Sequence, residues 1–317
     1  MTSTNVPLGD SGRIAFVMPV HNRKNLAVPC LLALCEAIST DANSELVVVD
    51  HASTDGIREF AESLPGVTVV RSSASTAGEL RNEGVAHCDG QWVCFIDSDV
   101  QVPINYVARL RHALTVTPAA IVGREYTLPA QPKWGERAWD KLNGRPGDGP
   151  RPFLNSGNIA MSRGLFVSLG GFNALLSSGE DTDLARRAMV RGIPSIQYDN
   201  LAAMHLGNPK SLTAFFFKEL WHGEGARLDD LVARAAIATV AMYAVAVTLL
   251  IALLLARKPA VIVVLVGLLA SQIVPAMGYL HRVWSRRRFP PPAASLLLLN
   301  VYFSARFVAL FSRRRRR

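Results

Sequence analysis

The chain has 317 residues, half of them hydrophobic, and a formal net charge of +9, which suits one large or two modest domains. Up to Asp230, 21 Lys and Arg stand against all 25 acidic residues; beyond it come 13 Lys and Arg and no acid. The acidic N-terminal part has no phosphate-backbone footprint, which makes nucleic acid the minor alternative and not the expected partner, while the basic, apolar C-terminal part points to a membrane, with anionic lipid as partner of Arg313 to Arg317.

Met1 to Arg13 is polar and lacks the apolar run of a secretory leader. Cys30, Cys35, Cys88 and Cys94 form no C-x-x-C pair. They read as free core thiols in a reducing compartment rather than as zinc ligands.

From Arg13 the apolar runs alternate with helical stretches. Ile14 to Met18, Leu46 to Val49, Val67 to Val70 and Trp92 to Ile96 read as strands. Asn25 to Ile38 and Ala77 to Ala86 read as helices. This alternation predicts an α/β fold with a mostly parallel, doubly wound sheet, whose ligands bind beyond the carboxyl ends of the strands. Polar clusters fall at those ends: Pro19-Val20-His21-Asn22, Asp50-His51-Ala52-Ser53-Thr54-Asp55-Gly56 and Asp97-Ser98-Asp99. The glycine-rich turn of a dinucleotide fold is absent, which argues against a dehydrogenase. Two carboxylates just past a strand can share a hard divalent cation, Mg²⁺ or Mn²⁺, whose shell a diphosphate completes. Asp50 and Asp55 also suit helix caps, and Glu180 and Asp181 suit the start of a helix dipole.

Arg124 to Phe153, rich in Pro, Gly and charge, reads as a long loop or lid with a short helix. Ala235 to Ala256 and Ala260 to Leu280 are each long enough to span a bilayer and predict a hairpin turning at Arg257-Lys258-Pro259. The cations after the second span place the catalytic part in the cytoplasm of a multi-pass plasma-membrane protein. Ala293 to Phe311, which carries Arg306, is expected to be re-entrant or interfacial, with a third span as the alternative. The expected organisation is a polar tail 1–12, a catalytic domain 13–230, a transmembrane hairpin 231–288, and the segment 289–317 with its polybasic tail.

Four motifs in order carry a resemblance to glycosyltransferase family 2, the inverting GT-A class. They are Met18-Pro19-Val20-His21-Asn22-Arg23, Val49-Asp50 through Gly56, Asp97-Ser98-Asp99, and Gly179-Glu180-Asp181-Thr182-Asp183-Leu184. The resemblance covers roughly residues 12–225. It implies a GT-A (Rossmann-like) domain with Pro19, Asn22, Asp50, Asp55, Arg81, Asp97 and Asn158 around a nucleotide sugar. It further implies Asp99, Asp97 and His205 at a metal, and Asp181 as base. The family pattern has two consecutive acids after the second strand; here the second is His51. Lys218-Glu219-Leu220-Trp221-His222-Gly223 stands where processive members carry Gln-x-x-Arg-Trp, so polymer synthesis is not expected. Asp181 and Asp183 cannot share a helix face, so at most one is the base.

The resulting expectation is transfer of one sugar from a nucleoside-diphosphate sugar to a lipid or lipid-linked acceptor. A polyprenyl-phosphate sugar synthase is the enzymatic rival, although an ionised phosphate acceptor needs no base. A catalytically silent membrane scaffold or sugar-nucleotide sensor is the non-enzymatic one.

Overall fold

The computed structural model describes residues 12–223, 231–255, 267, 269–286 and 289–312. The chain divides into two units, Met1–Pro129 with Pro146–Gly207, and Ala130–Arg145 with Asn208–Arg317.

In chain order the elements of the first part are β1 (Ile14–Val20), α1 (Lys24–Ser39), β2 (Ser44–His51), α2 (Ile57–Glu62), β3 (Val67–Ser72), α3 (Ala77–Ala86), β4 (Trp92–Ile96), β5 (Val100–Gln101), α4 (Tyr106–Val116) and β6 (Ile121–Gly123). After α5 (Trp134–Asn143) come β7 (Gly149–Arg151), β8 (Asn158–Ser162), α6 (Arg163–Ser168), α7 (Glu180–Val190), β9 (Ser195–Gln197) and β10 (Met204–His205).

Eight strands form one sheet in the order β3-β2-β1-β4-β8-β6-β9-β7, and β10 pairs with β5 in a second, two-stranded sheet. The strands β3, β2, β1 and β4 run parallel; β8 is antiparallel to β4 and β6, β6 is parallel to β9, and β7 is antiparallel to β9. The chain therefore folds as an α/β protein with a mostly parallel sheet.

The reason lies in the strand sequences. β1 and the middle of β2 are almost wholly buried, as strands covered by helices on both faces must be. Successive β1 residues split between two cores. Phe16 and Met18 pack with Leu31, Leu34 and Leu110 on one face; Val17 joins Val49, Phe95, Phe166 and Phe172 on the other. Each such fully buried side chain contributes about 1.5–3 kcal/mol. The consequence for function is that the ends of β1, β2 and β4 are set side by side.

The second unit contains α5, α8 (Leu212–Gly223), α9 (Leu231–Leu255), α10 (Ile273–Arg286) and α11 (Pro292–Ser312). The short helix expected within the loop 124–153 is α5. The Glu136 carboxylate accepts from the Lys133 N–H at 2.7 Å and from Lys210 Nζ at 2.6 Å, while Ala138 and Leu142 sink into an apolar cluster with Phe215, Leu298 and Tyr302. Ala293 to Phe311 lies within the single helix α11. Among the described residues, Pro292–Phe311 is the segment long and apolar enough to cross a membrane, and Arg234–Val245 is a shorter apolar run. The predicted turn at 257–259 and residues 260–266 of the second predicted span lie outside the described residues.

Candidate active site

Asp97 and Asp99 leave the sheet where β4 ends, but their surroundings differ. Asp97 Oδ1 lies 2.5 Å from Arg81 Nη2, and Oδ2 accepts from the Tyr126 hydroxyl at 3.2 Å. Both oxygens are therefore engaged within the protein. Burial, followed by the charges of Asp97 and Asp99, pushes the Tyr126 phenol well above its ordinary range, so it keeps its proton and donates.

Asp99 Oδ1 lies 3.4 Å from His205 Nε2, and Oδ2 lies 3.7 Å from Arg23 Nη1. The pairing of β5 with β10 sets His205 opposite Val100 and so brings together two residues far apart in the chain. The His205 ring also stacks on Tyr126, with centroids 4.6 Å apart and planes at 14°. Gly207 completes this corner: a Cβ there would run into the Asp99 carboxylate. Gly157 does the same beside Asp97.

Arg81 is the hub. Projecting from α3 and buried, it holds Asp97 with Nη2 and Glu180 Oε1 with Nη1 at 2.9 Å. Its guanidinium lies 5.5 Å from the Phe172 ring centroid. Desolvation opposes its charge, but Asp97 and Glu180 outweigh that and raise its pKa. Glu180 also accepts from Ser156 Oγ at 2.9 Å. Next to it, at the start of α7, stands Asp181. Desolvation, then repulsion from Glu180, pushes its carboxyl up to about 6, against the Thr182 N–H and the Arg81 charge. Asp183 points to a structural task, pairing with Arg186 at 2.7 Å and Arg187 at 2.8 Å.

The other predicted residues sit at the ends of β1, β2 and β8. Asn22, at φ 53°, staples two loops: its N–H donates to Ser53 Oγ at 2.9 Å and its Oδ1 accepts from the Thr54 N–H at 3.0 Å. Asp55 accepts from the Lys24 N–H at 2.6 Å and the Ile57 N–H at 3.2 Å, capping the starts of two helices. Pro19 lies within β1 and is half-buried.

Asp50 and Asn158 do not open to the crevice. The Asp50 side chain is 1% exposed, accepts from the Ser53 N–H and lies 3.8 Å from Arg58. Asn158 is fully buried; it accepts from the Tyr106 hydroxyl at 2.5 Å and donates to the carbonyls of Arg124 and Leu201. Sequence reasoning had no signal for Tyr126; it offered Ser156 only as part of the turn Asn155-Ser156-Gly157-Asn158, as a sugar lining or a plain turn, and Glu180 as part of the fourth motif with no contact of its own.

Among the described residues, no cluster of three or more His, Cys, Asp or Glu groups stands ready-made for a metal. Asp99 and His205 nevertheless form a carboxylate–imidazole pair. Mg²⁺ and Mn²⁺ are commonly held by one or two carboxylates plus substrate phosphates, so two protein donors suffice in kind.

A mostly parallel sheet with acidic groups past β4 and at the start of α7 is the arrangement of a GT-A glycosyltransferase. Residues 15–170 match the Glycosyl transferase family 2 model, and the chain belongs to that family through this domain.

It is 30% identical over 121 residues to Glycosyltransferase GlyA of Streptococcus pneumoniae, covering 37% of this chain and 17% of that protein. It is 22% identical over 209 residues to Glycosyltransferase AglE of Haloferax volcanii, covering 62% of this chain and 67% of that one. The solved structure of the mannosyltransferase PcManGT of Pyrobaculum calidifontis, in complex with GDP-Man and Mn²⁺, superposes with a TM-score of 0.58 at 18% identity, covering 96% of this chain and 87% of that one.

Proposed function

We propose that this glycosyltransferase moves a single sugar from a nucleoside-diphosphate sugar to a membrane lipid or lipid-linked acceptor, with inversion. The observation that carries the reading is the arrangement of two acidic poles joined by Arg81: Asp99 with His205 on one side, Glu180 with Asp181 on the other.

In direct displacement the leaving group and the attacking hydroxyl occupy opposite sides of the anomeric carbon. Asp99 and His205 would hold a divalent cation at the diphosphate, as Asp97, fixed by Arg81 and Tyr126, orients the turn. Bound there, Mg²⁺ or Mn²⁺ would neutralise charge on the departing nucleoside diphosphate. Asp181 takes the proton of the acceptor hydroxyl as the new glycosidic bond forms. Its carboxyl, raised to about 6, is ionised near neutrality yet more basic than an ordinary aspartate, as a general base requires. Pro19, Asn22 and Asp55 shape the loops over the nucleotide, and Arg81 holds the two poles in register.

The second unit supports the proposed acceptor class. Trp284 is 88% exposed, Phe289 85% and Met277 65%, large apolar surfaces that a bilayer would cover. Together with the apolar α11 and the basic tail, they support attachment of the chain to a membrane. A catalytic unit tethered by its own chain to the bilayer meets lipid acceptors at high effective concentration.

The test uses membranes containing the wild type or Asp99→Ala, a panel of labelled nucleotide sugars, and Mg²⁺ or Mn²⁺. Label entering the organic phase with wild type and vanishing with Asp99→Ala is the expected outcome. Label found only in soluble products would overturn the lipid acceptor.

A further inference from the structure

We infer that α5, α8 and α11 form a platform lying along the surface of an anionic membrane, so that α11 rests in the headgroup boundary and does not cross. The inference rests on the membrane attachment proposed above and specifies its geometry and its lipid.

By length and composition α11 could cross: Pro292–Phe311 is 20 residues, about 30 Å at about 1.5 Å per residue and no longer than the hydrocarbon core. Crossing would therefore need its whole length to lie in lipid. Its packing opposes that. α8 runs beside it in step: Glu219 meets Arg306 at 2.7 Å, and one turn further on Gly223 lies so close that a Cβ there would run into the Ala309 side chain. α5 covers the preceding turns, with Ala138 and Leu142 in the cluster that holds Leu298, Leu299, Tyr302 and Phe303. Asn143, at the end of α5, accepts from Arg282 Nε of α10 at 3.1 Å. From Leu298 to Ala309, more than half its length, α11 is thus clasped by helices of 10 and 12 residues. Each of these is too short to cross a bilayer.

The clasping helices carry charge on their open faces. Lys133, Arg137 and Lys141 follow at four-residue spacing and share one side of α5; all three are exposed. Among the described residues, none of the three pairs with a carboxylate. Of the two acids on α5, Glu136 is buried and held by Lys210, and Asp140 is half-buried. Trp134 is 51% exposed, and with Lys133 and Arg137 it lines a cleft of about 420 Å³. Unpaired cations beside an exposed indole match the boundary of an anionic bilayer, where phosphates meet the cations and the ring sits at headgroup depth. Inside hydrocarbon the same three charges are strongly disfavoured.

The apolar surfaces agree. On α8 the exposed large side chains are Phe217 and Trp221, one turn apart, the apolar half of an interfacial helix. On α11 the exposed ones, Leu297, Val308 and Phe311, fall on a single stripe, as a helix lying flat at the boundary requires. The catalytic unit ends at Gly207 and α8 begins at Leu212, so the chain reaches the platform without crossing lipid. The residues before and after α11 then lie on one side of the membrane, that of the catalytic unit.

The test places single cysteines in the full-length protein in cell membranes: Phe289→Cys before α11, one appended after Arg317, and Val190→Cys on the catalytic unit. Cys35, the native thiol that is not buried, is replaced by serine. An impermeant maleimide is applied to spheroplasts and to inverted vesicles. All three cysteines should react from the same side. Reaction of Phe289→Cys and the terminal cysteine from opposite sides overturns the inference, as does reaction of both from the side opposite Val190→Cys. Wild type recovered in the soluble fraction after lysis removes the membrane attachment itself. For the lipid, Gln131→Cys in the cleft is labelled with an uncharged maleimide in nanodiscs of phosphatidylcholine with or without phosphatidylglycerol. Phosphatidylglycerol should slow labelling at least about threefold, and combining Lys133→Gln, Arg137→Gln and Lys141→Gln should remove that slowing. Thermal melting checks that each variant folds. Equal rates in both lipids, or slowing that survives the triple substitution, overturns the anionic surface contact.

Discussion

Arg81 Nη1 stands 2.9 Å from Glu180 Oε1, joining α3 to the first residue of α7, while its other terminal nitrogen holds Asp97. One buried cation therefore neutralises two carboxylates from separate parts of the chain. Arg81→Met removes that charge and leaves Asp97 and Glu180 desolvated against each other. A broken buried pair costs about 3–5 kcal/mol, so the variant should melt at a markedly lower temperature by differential scanning fluorimetry. Arg81→Lys, which lacks the guanidinium fork, should recover only part of the loss.

The Asp181 carboxyl, raised to about 6 by burial and Glu180, has two pH signatures. As the proposed base it must be ionised, so kcat/KM should rise with pH through about 6. Stability moves the other way. Between the ordinary aspartate range near 4 and about 6 the folded state binds the extra proton, so stability is greatest at low pH and falls as pH rises through that window. Asp181→Asn should therefore raise Tm at pH 7.5 by an amount equivalent to roughly 1–2 kcal/mol, show little change at pH 4, and lose nearly all turnover. An Asp181→Asn enzyme that keeps normal activity would favour an acceptor already ionised, such as a phosphate.

Much of this was legible before any coordinates. The strands Ile14–Val20, Ser44–His51, Val67–Ser72 and Trp92–Ile96 are buried on both faces and so appear as continuous apolar runs. Their ends place Asp97 and Asp99 without further information. Helix α3 falls where the sequence predicts it, Ala77 to Ala86, because Thr76 caps it through the Glu79 N–H. The partners of those acids were not legible from local pattern, and His205 entered beside Asp99 only through the family resemblance. His205 reaches Asp99 through β5 and β10, two-residue strands too short to leave a periodic trace. Tyr126 reaches Asp97 and His205, and Ser156 reaches Glu180, through contacts that no local spacing encodes. The burial of Asp50 follows from β2 being central, which makes its last acid an internal brace. The sequence pattern of acids shows where charge accumulates, but not which charges are already neutralised.

Gly207 lies where a Cβ would meet the Asp99 carboxylate. Gly207→Ala should push that carboxylate out of its setting beside His205 without disturbing the sheet. The expected outcome is at least about a tenfold loss of Mn²⁺ activation with less than about 1 kcal/mol lost in stability. Titration of activity against Mn²⁺ after EDTA treatment measures it; the wild type should be silenced by EDTA and restored by Mn²⁺ or Mg²⁺. Unaltered Mn²⁺ dependence in Gly207→Ala would remove Asp99 from the metal site.

Within the second unit, Arg306 Nη2 donates to Glu219 Oε2 at 2.7 Å, with the two side chains 16% and 7% exposed. The guanidinium also lies 5.0 Å from the Tyr302 ring centroid. The pair fastens α8 to α11 in otherwise apolar surroundings, which accounts for a cation inside an apolar helix. Arg306→Leu leaves Glu219 buried with no partner and should cost about 3–5 kcal/mol, whereas replacing both residues by Leu should be close to neutral or stabilising. Thermal unfolding of the full chain in detergent, run as a double-mutant cycle, separates the two cases. A double variant as damaged as Arg306→Leu alone would mean that Arg306 acts through its packing on Tyr302, and not through the charge of Glu219.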